Sequence, residues 1–402
     1  MWYKENVDTK KKVFVGVSGG VDSSVALALL QKEGYDVTGV FLKTWYPEWM
    51  QCDWKEERRS AMRVCATLGL PFLTLDYEKE YKKEVVDYML REYSEGRVPN
   101  PDVFCNKYVK FGVFLQKALE LGADYVATGH YARTSFDSYL VRSTKYFRAG
   151  NFLALAPSRS ESLRPRHESA KSFQLLESVD KEKDQSYFLY TLGQKELKHI
   201  LFPIGGMTKP EVRKLAEKFD LPTAHKKDSQ GLCFLGKVDM KDFLSHYIET
   251  KTGDVLNTNG EVIGTHQGAL LYAIGERHGF EIAKKSPNDP RYFVVAKDLS
   301  KNTIIVADKE KEADTVYSVK EIIIKNLHLI NLDDTSSKLN KPLKTYARIR
   351  YRQEKQPCVL EKKSGWYRIV FDVPQSGVSI GQSAVLYDGE ICLGGGIIEE
   401  VR

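Results

Sequence analysis

The sequence predicts an α/β protein in three parts. These are an N-terminal doubly wound parallel sheet (1–225), a small central α+β domain (226–290) and a C-terminal antiparallel β-barrel (291–402). Three observations carry this. From about residue 12 to 130, short apolar runs alternate with longer helical stretches, the rhythm of βα units. From 226 to 290 the runs shorten and glycine becomes frequent. From Arg291 onward nearly every run is strand-like and is broken by turn residues at short intervals, as in a small barrel.

Within the first part, Val13–Val17 (VFVGV) is an unalternating apolar run, as a strand covered on both faces must be. A helix rich in Ala and Leu follows over 22–33, then strands at 37–42, 72–75 and 124–128. Helices are expected over 53–68, 78–93, 110–121, 184–192 and 210–219, with Pro210 suited to a first turn. The stretch of about 134–178 interrupts the rhythm. It is read as a long insertion carrying Arg142, Lys145, Arg148, Arg159, Arg164, Arg166 and Lys171. Such a loop could touch an acidic partner or be a tolerated surface insertion.

Composition narrows the class. With 402 residues, 42% hydrophobic and 28% charged, the chain can bury a sizeable core and reads as soluble. A net charge of +6 permits an acidic partner without requiring one. No apolar run approaches the roughly 20 residues of a membrane span. Residues 1–12 carry Glu5 and Asp8 and no Arg, unlike a secretory or transit segment, so a cytoplasmic protein is expected. Six cysteines show no CxxC spacing, so no zinc or iron–sulfur site is expected and no metal ligands are assigned.

The strand at 13–17 runs straight into Ser18-Gly19-Gly20-Val21-Asp22-Ser23-Ser24 and then a helix. Glycines let backbone N–H groups approach an oxyanion, and the helix N-terminus adds partial positive charge. The serines add hydroxyl donors, and Asp22 can cap the helix or hold Mg²⁺. There is no Gly-Lys-Ser/Thr, so the loop is suited to grip a departing pyrophosphate rather than to transfer a γ-phosphate. SGGxDSS between strand and helix resembles the PP-loop ATPases, the adenine nucleotide α-hydrolase-like group, which implies ATP cleaved between its α and β phosphates.

Two cysteines stand in distinctive surroundings. Cys105 lies in RVPNPDVFCNK, where Pro99 and Pro101 stiffen a loop and Lys107 and Lys110 could favour a thiolate. Cys233 lies in DSQGLCFLG, a glycine-flanked setting suited to a moving loop. Cys52, Cys65, Cys358 and Cys392 are expected to be inert buried thiols.

Taken in order, VGVSGGVDSSVA, GRVPNPDVFCNKYVKF, ATGHYAR, KDQSYFLYTL, LFPIGGMTKPEVRKLAE, KKDSQGLCF, GEVIGTHQGALLYAIGERHG, ARIRYRQ and IGQSAVLYDGEICLGGGII resemble the tRNA-specific 2-thiouridylases over nearly the whole chain. The resemblance implies thiolation of C2 of the wobble uridine, position 34. ATP would lie on Gly16, Val17, Ser18, Gly19, Gly20, Val21, Asp22 and Ser23, with Leu42 and Gly129 completing its site and Mg²⁺ offsetting phosphate charge. Cys233 matches the persulfide cysteine, loaded by a sulfur-relay protein or a cysteine desulfurase. Cys105 matches the nucleophile, and a transient Cys105–Cys233 disulfide is implied. Asp102 matches an acid/base or base-orienting residue. Asn100, Pro101 and Asp102 match the segment that meets the flipped base. His130, Lys183, Asp184, Gln185, Arg350, Tyr351 and Gln382 match tRNA contacts. Strand periodicity would put Arg348, Arg350 and Arg352 on one face as a basic stripe. An amidotransferase-type PP-loop synthetase would need neither a second cysteine nor a basic barrel. A non-catalytic RNA-binding relative would have no need of an intact SGGVDSS.

Overall fold

Val13, Phe14 and Val15 are buried in succession, which places β1 (Lys12–Gly16) inside a sheet. The computed structural model describes residues 10–50, 54–135, 172–227, 239–283, 291–307, 318–331 and 338–402. β1 pairs in parallel with β2 (Asp36–Lys43) and β4 (Tyr125–Ala127). β3 (Phe72–Asp76) flanks β2 and β7 (Ile200–Leu201) flanks β4, giving the order β3-β2-β1-β4-β7. The chain turns to opposite sides of the sheet after β1 and β4, so a crevice opens at their carboxyl ends.

Two apolar clusters cover the two faces. One joins Val13, Val15 and Val37 to α1 (Val21–Lys32), α2 (Trp54–Thr67) and the helix Lys209–Lys218. The other joins Phe14, Val40 and Leu42 to the helical stretches 78–94 and 101–120. The second of these begins well before the expected residue 110, because Pro101 occupies a first-turn position where its missing N–H costs nothing. Its middle, Cys105–Val113, is wound as a π-helix, and Phe114 N–H reaches back five residues to Val109 O. The helix expected over 184–192 is reduced to a single 3₁₀ turn, Ser186–Phe188. Side chains in this stretch face several directions at once: Tyr187 donates to Ser383 O, and Asp184 accepts from the backbone of Ser178 and Ser186.

The second sheet has the order β10-β9-β8-β12-β11, with β8 (Gly253–Leu256), β9 (Val262–His266), β10 (Phe280–Ile282), β11 (Phe293–Asp298) and β12 (Thr303–Ala307). β12 runs parallel to β8. This corrects the expected start of the barrel at 291. The runs YFVVA and TIIVA do form strands, but their ladder partner lies in the central domain.

The barrel itself is closed by six antiparallel strands: β13 (Val319–Ile324), β15 (Leu343–Arg348), β16 (Gln356–Lys362), β17 (Tyr367–Gln375), β18 (Ser383–Asp388) and β19 (Ile391–Val401). Pairing of β13 with both β17 and β19 completes the ring. Its inside is filled by Ile322, Leu360, Ile369, Phe371, Leu386 and Ile398. A two-residue strand, β14 (His328–Leu329), adds to β19. The barrel sheet continues into the first domain, where the hairpin β5 (Ala132–Ser135) and β6 (Gln174–Glu177) joins β19 through Leu176 and Ile391. These two strands are the ends of the insertion expected over about 134–178; residues 136–171 lie outside the described residues.

Candidate active site at the carboxyl edge of the first sheet

The loop after β1 is shaped by steric necessity. Gly19 has φ +73°, and a Cβ there would lie 2.6 Å from Glu57 O. Gly129, just past β4, abuts the first turn of α1, where a Cβ would lie 2.5 Å from Ser23 N. Gly20 caps α1 without a side chain, so the first-turn amides face the crevice. Ser23 Oγ accepts from Ser18 N at 3.3 Å, and Ser24 Oγ donates to Gly20 O at 2.7 Å. The run Gly16, Val17, Ser18, Gly19, Gly20, Val21, Asp22 and Ser23 thus joins the end of β1 to the first turn of α1, with Val17 and Val21 buried in the apolar cluster and Leu42 buried at the end of β2.

The sequence reading missed four polar groups around this loop. Asp22, expected to cap α1 or hold a metal ion, is instead gripped by Lys209 Nζ at 2.7 and 2.9 Å and by Tyr131 Oη at 2.8 Å. Lys226 Nζ donates to Gly19 O at 3.0 Å, beside Ser60 Oγ at 3.2 Å. A loop with no lysine of its own therefore has two lysines brought from far along the chain. Both sit inside motifs that carried the resemblance, but nothing in local spacing ties them to a loop about 190 residues earlier.

Asn100 caps the helix that starts at Pro101, and Asp102 lies half-buried in its first turn. Cys105 begins the π-wound segment rather than sitting in a loop, and it is fully buried. It belongs to the large apolar cluster that also holds Val40, Leu42, Val109 and Tyr187. Lys107 is turned away over the Tyr108 ring, 4.9 Å from its centre. Asn106 donates to Phe188 O at 3.2 Å, while its buried Oδ1 has no hydrogen-bond partner. Tyr351 packs on Phe188 at 4.6 Å between ring centres, and Arg350 is exposed beside it. Phe188 thus links the barrel turn carrying Arg350 and Tyr351 to Asn106, the residue after Cys105.

Other expected contact residues take internal positions. His130 is buried between Phe111 and Phe202, with Nδ1 2.7 Å from Thr128 Oγ1; burial and the nearby Lys110 charge hold its pKa well below the usual imidazole value. Asp184 is sealed inside, 2.6 Å from Arg348 Nη1. Gln185 exchanges hydrogen bonds with the backbone of Tyr131. Lys183 remains half-buried at the surface. Gln382 donates its amide to the carbonyls of Val98 and Pro99.

The basic stripe does not form. Strand β15 ends at Arg348, which is buried between Glu177 and Asp184, and Arg352 turns away with φ +63°. Arg350 and Arg352 are both exposed, Arg352 donating from Nε to Glu182 O at 3.1 Å and lying over the Tyr351 ring.

Burial pushes the Cys65 thiol up to about 11 and Cys358 to about 12, and raises that of Cys392, as inert thiols require. Cys52 and Cys233 lie outside the described residues. Among the described residues no group of three or more His, Cys, Asp or Glu side chains could hold a metal ion, and no helix is long and apolar enough to cross a membrane.

A glycine cradle at the switch point of a parallel sheet, followed by two β domains, defines a nucleotide-binding α/β enzyme carrying an appended barrel. Three family models match in sequence: a tRNA methyl transferase HUP domain over 11–237, a tRNA methyl transferase PRC-barrel domain over 241–308 and an aminomethyltransferase beta-barrel domain over 319–398. A tRNA-specific 2-thiouridylase of Stutzerimonas stutzeri is 41% identical over 98% of this chain and 96% of its own. One of Pseudomonas entomophila is 40% identical over 97% and 95%. The chain belongs to the tRNA-specific 2-thiouridylase family. Among solved structures, a U34-tRNA thiolase of Methanococcus maripaludis with a [4Fe-4S] cluster is 18% identical, with a TM-score of 0.32 over 60% of this chain and 66% of that one, an overlap too loose to bear on this chain.

Proposed function

We propose that this chain is a tRNA-uridine 2-sulfurtransferase. It activates the C2 oxygen of wobble uridine 34 with ATP and replaces that oxygen by sulfur from a cysteine persulfide, releasing AMP and pyrophosphate. The observation that supports this is that the Gly16–Ser23 cradle and the helical stretch of Asp102 and Cys105 belong to one sheet's layers, with Phe114 of that stretch 3.6 Å from where a Cβ of Gly16 would stand. Methyl transfer, the chemistry named by two of the family models, would not call for an ATP cradle of this kind.

Adenylation turns a carbonyl oxygen, a poor leaving group, into AMP. The uridine oxygen attacks the α-phosphorus and pyrophosphate departs. Gly129 and the first-turn amides of α1 face the phosphates, and Leu42 borders the adenine. Mg²⁺ would offset phosphate charge, held mainly by the phosphates with the Ser18 and Ser23 hydroxyls nearby, since the Asp22 carboxylate is already paired with Lys209. Cys233 carries the persulfide. Its outer sulfur reaches C2 directly, with Cys105 then resolving the linkage, or Cys105 attacks the persulfide and frees sulfide, leaving a Cys105–Cys233 disulfide in either case. Asp102 handles the proton or orients the base. The uridine is splayed from the anticodon loop onto Asn100, Pro101 and Asp102. The tRNA contacts are assigned to Lys183, Arg350 and Tyr351 at the surface, with His130, Asp184, Gln185 and Gln382 supporting them from within. A relay protein or desulfurase supplies the sulfur, and the setting is the cytoplasm.

The test is mass spectrometry of nucleosides from tRNA incubated with the enzyme, ATP and a persulfide donor, a cysteine desulfurase with free cysteine. We expect 2-thiouridine with one AMP per thiolation, formed only with tRNA present, and no product from Cys105→Ser. Thiolation by that variant at the wild-type rate would remove Cys105 from the mechanism, and AMP release without tRNA would point to a small-molecule synthetase.

A further inference from the structure

The segment 96–100, which feeds the helix of Asp102 and Cys105, is gripped from other domains at each step. Gly96 has φ +72°, and the Leu299 side chain, from the β11–β12 turn of the central domain, fills the space where a Cβ would stand. Arg97 bridges Glu92 at 2.7 Å to Glu399 of β19 at 2.9 Å. Val98 N–H donates to Ile380 O at 2.8 Å. Gln382 Nε2 donates to Val98 O at 2.9 Å and Pro99 O at 3.1 Å. Gly381, with φ +95°, lets the two backbones meet, since a Cβ there would lie 2.9 Å from Val98 N.

Resting on the function proposed above, we propose that Arg97, Glu399 and Gln382 are positioning residues: through them the barrel sets where Asn100, Asp102 and Cys105 stand relative to the bound uridine. Water could satisfy an exposed linker of this kind; here its carbonyls and N–H are taken up by barrel groups instead. Pro99 and Pro101 fix their own φ and restrict Val98 and Asn100, so a displacement at residue 98 is passed on rather than absorbed. A shift of about 1 Å in a reacting group is enough to slow chemistry by about 100-fold. The turn of Arg350 and Tyr351 belongs to the same barrel as Gln382 and Glu399, so one domain offers both the tRNA surface and the strap.

The test uses the full chain with Glu399→Gln, Gln382→Leu and the double variant, none of which removes an apolar core group. We expect single-turnover thiolation to fall about tenfold in each single variant and about 100-fold in the double. The tRNA dissociation constant of Glu399→Gln should stay within about twofold and the melting temperature of each variant should fall by no more than a few degrees, while the amides of Val98, Asn100 and Asp102 exchange faster with deuterium. Arg97→Lys, which keeps the cation, should retain most of the rate that Arg97→Leu loses. An unchanged rate in the double variant, or a loss accounted for wholly by weaker tRNA binding, would overturn the proposal and leave Gln382 an ordinary tRNA contact. If the wild-type chain makes no 2-thiouridine, the functional reading fails by itself, and the exchange measurement still decides whether the barrel orders this segment.

Discussion

At the scale of single residues, the site depends on atoms that are missing as much as on those present. Gly129 has no Cβ because the backbone of Ser23 occupies that position, 2.5 Å from where it would be. Alanine at 129 must push α1 away from β4 and move the amides that face the crevice. We expect Gly129→Ala to lower ATP-dependent AMP formation by at least about 100-fold while circular dichroism remains that of the folded chain; wild-type turnover would show that the loop tolerates the shift. A second residue registers burial through its charge. Lys297, in β11, donates to Tyr272 O at 3.0 Å, and desolvation pushes its pKa down to about 8 from the usual 10.5. Between those pH values the unfolded chain still holds a proton that the folded chain has released, so stability should climb as pH rises through this window. Urea titrations at pH 7.5 and 10 should show this climb in the wild type, and Lys297→Met should flatten it.

At the scale of elements, the strands were legible and the helices less so. VFVGV reads as a central strand because nothing in it alternates, and it is one. The start of the helix at Pro101 and the π-winding after Cys105 were not legible. A π-turn has no composition of its own; what marks it is Gly112, where a Cβ would lie 2.9 Å from Lys107 O, a contact that exists only in the wider winding. The stretch 184–192 shows the opposite error. Its apolar spacing suits a helix, but its side chains are claimed by Ser383, Tyr131 and Arg348 on three different elements, and a helix presents one buried face, not three. Strands at 293–307 read correctly as strands and incorrectly as barrel, since a ladder partner is a long-range choice that alternation does not encode.

At the scale of the whole molecule, the first domain and the barrel are joined through buried charge. Arg348 meets Glu177 at 2.8 Å and Asp184 at 2.6 Å, with all three side chains almost wholly out of water. Removing the cation leaves Asp184 buried without the guanidinium it meets, while Glu177 keeps Lys181 and Lys355. Arg348→Met should therefore lower the unfolding free energy by about 3–5 kcal/mol, measured by urea denaturation, whereas exposed Arg350→Met should stay within about 0.5 kcal/mol. Equal effects from the two would mean that the triad does not hold the domains together. The arrangement also explains why the Arg348-Arg350-Arg352 reading failed. Alternation assigned the three to one face, but the strand ends at Arg348, and the face it would have occupied is where the first domain docks.

The sequence alone determined the glycine–serine loop between a strand and a helix, the parallel character of the first sheet, the strand-rich C-terminal third and the family, because each is written in contiguous residues whose spacing has a direct steric or hydrogen-bonding meaning. Only the tertiary structure decided that Lys209 and Lys226 serve a loop near residue 20, that Arg348 and Asp184 pair inside the protein, and that Gln382 braces the approach to Cys105. These are meetings between side chains 160 or more residues apart, and they follow from how domains pack, which no local pattern records.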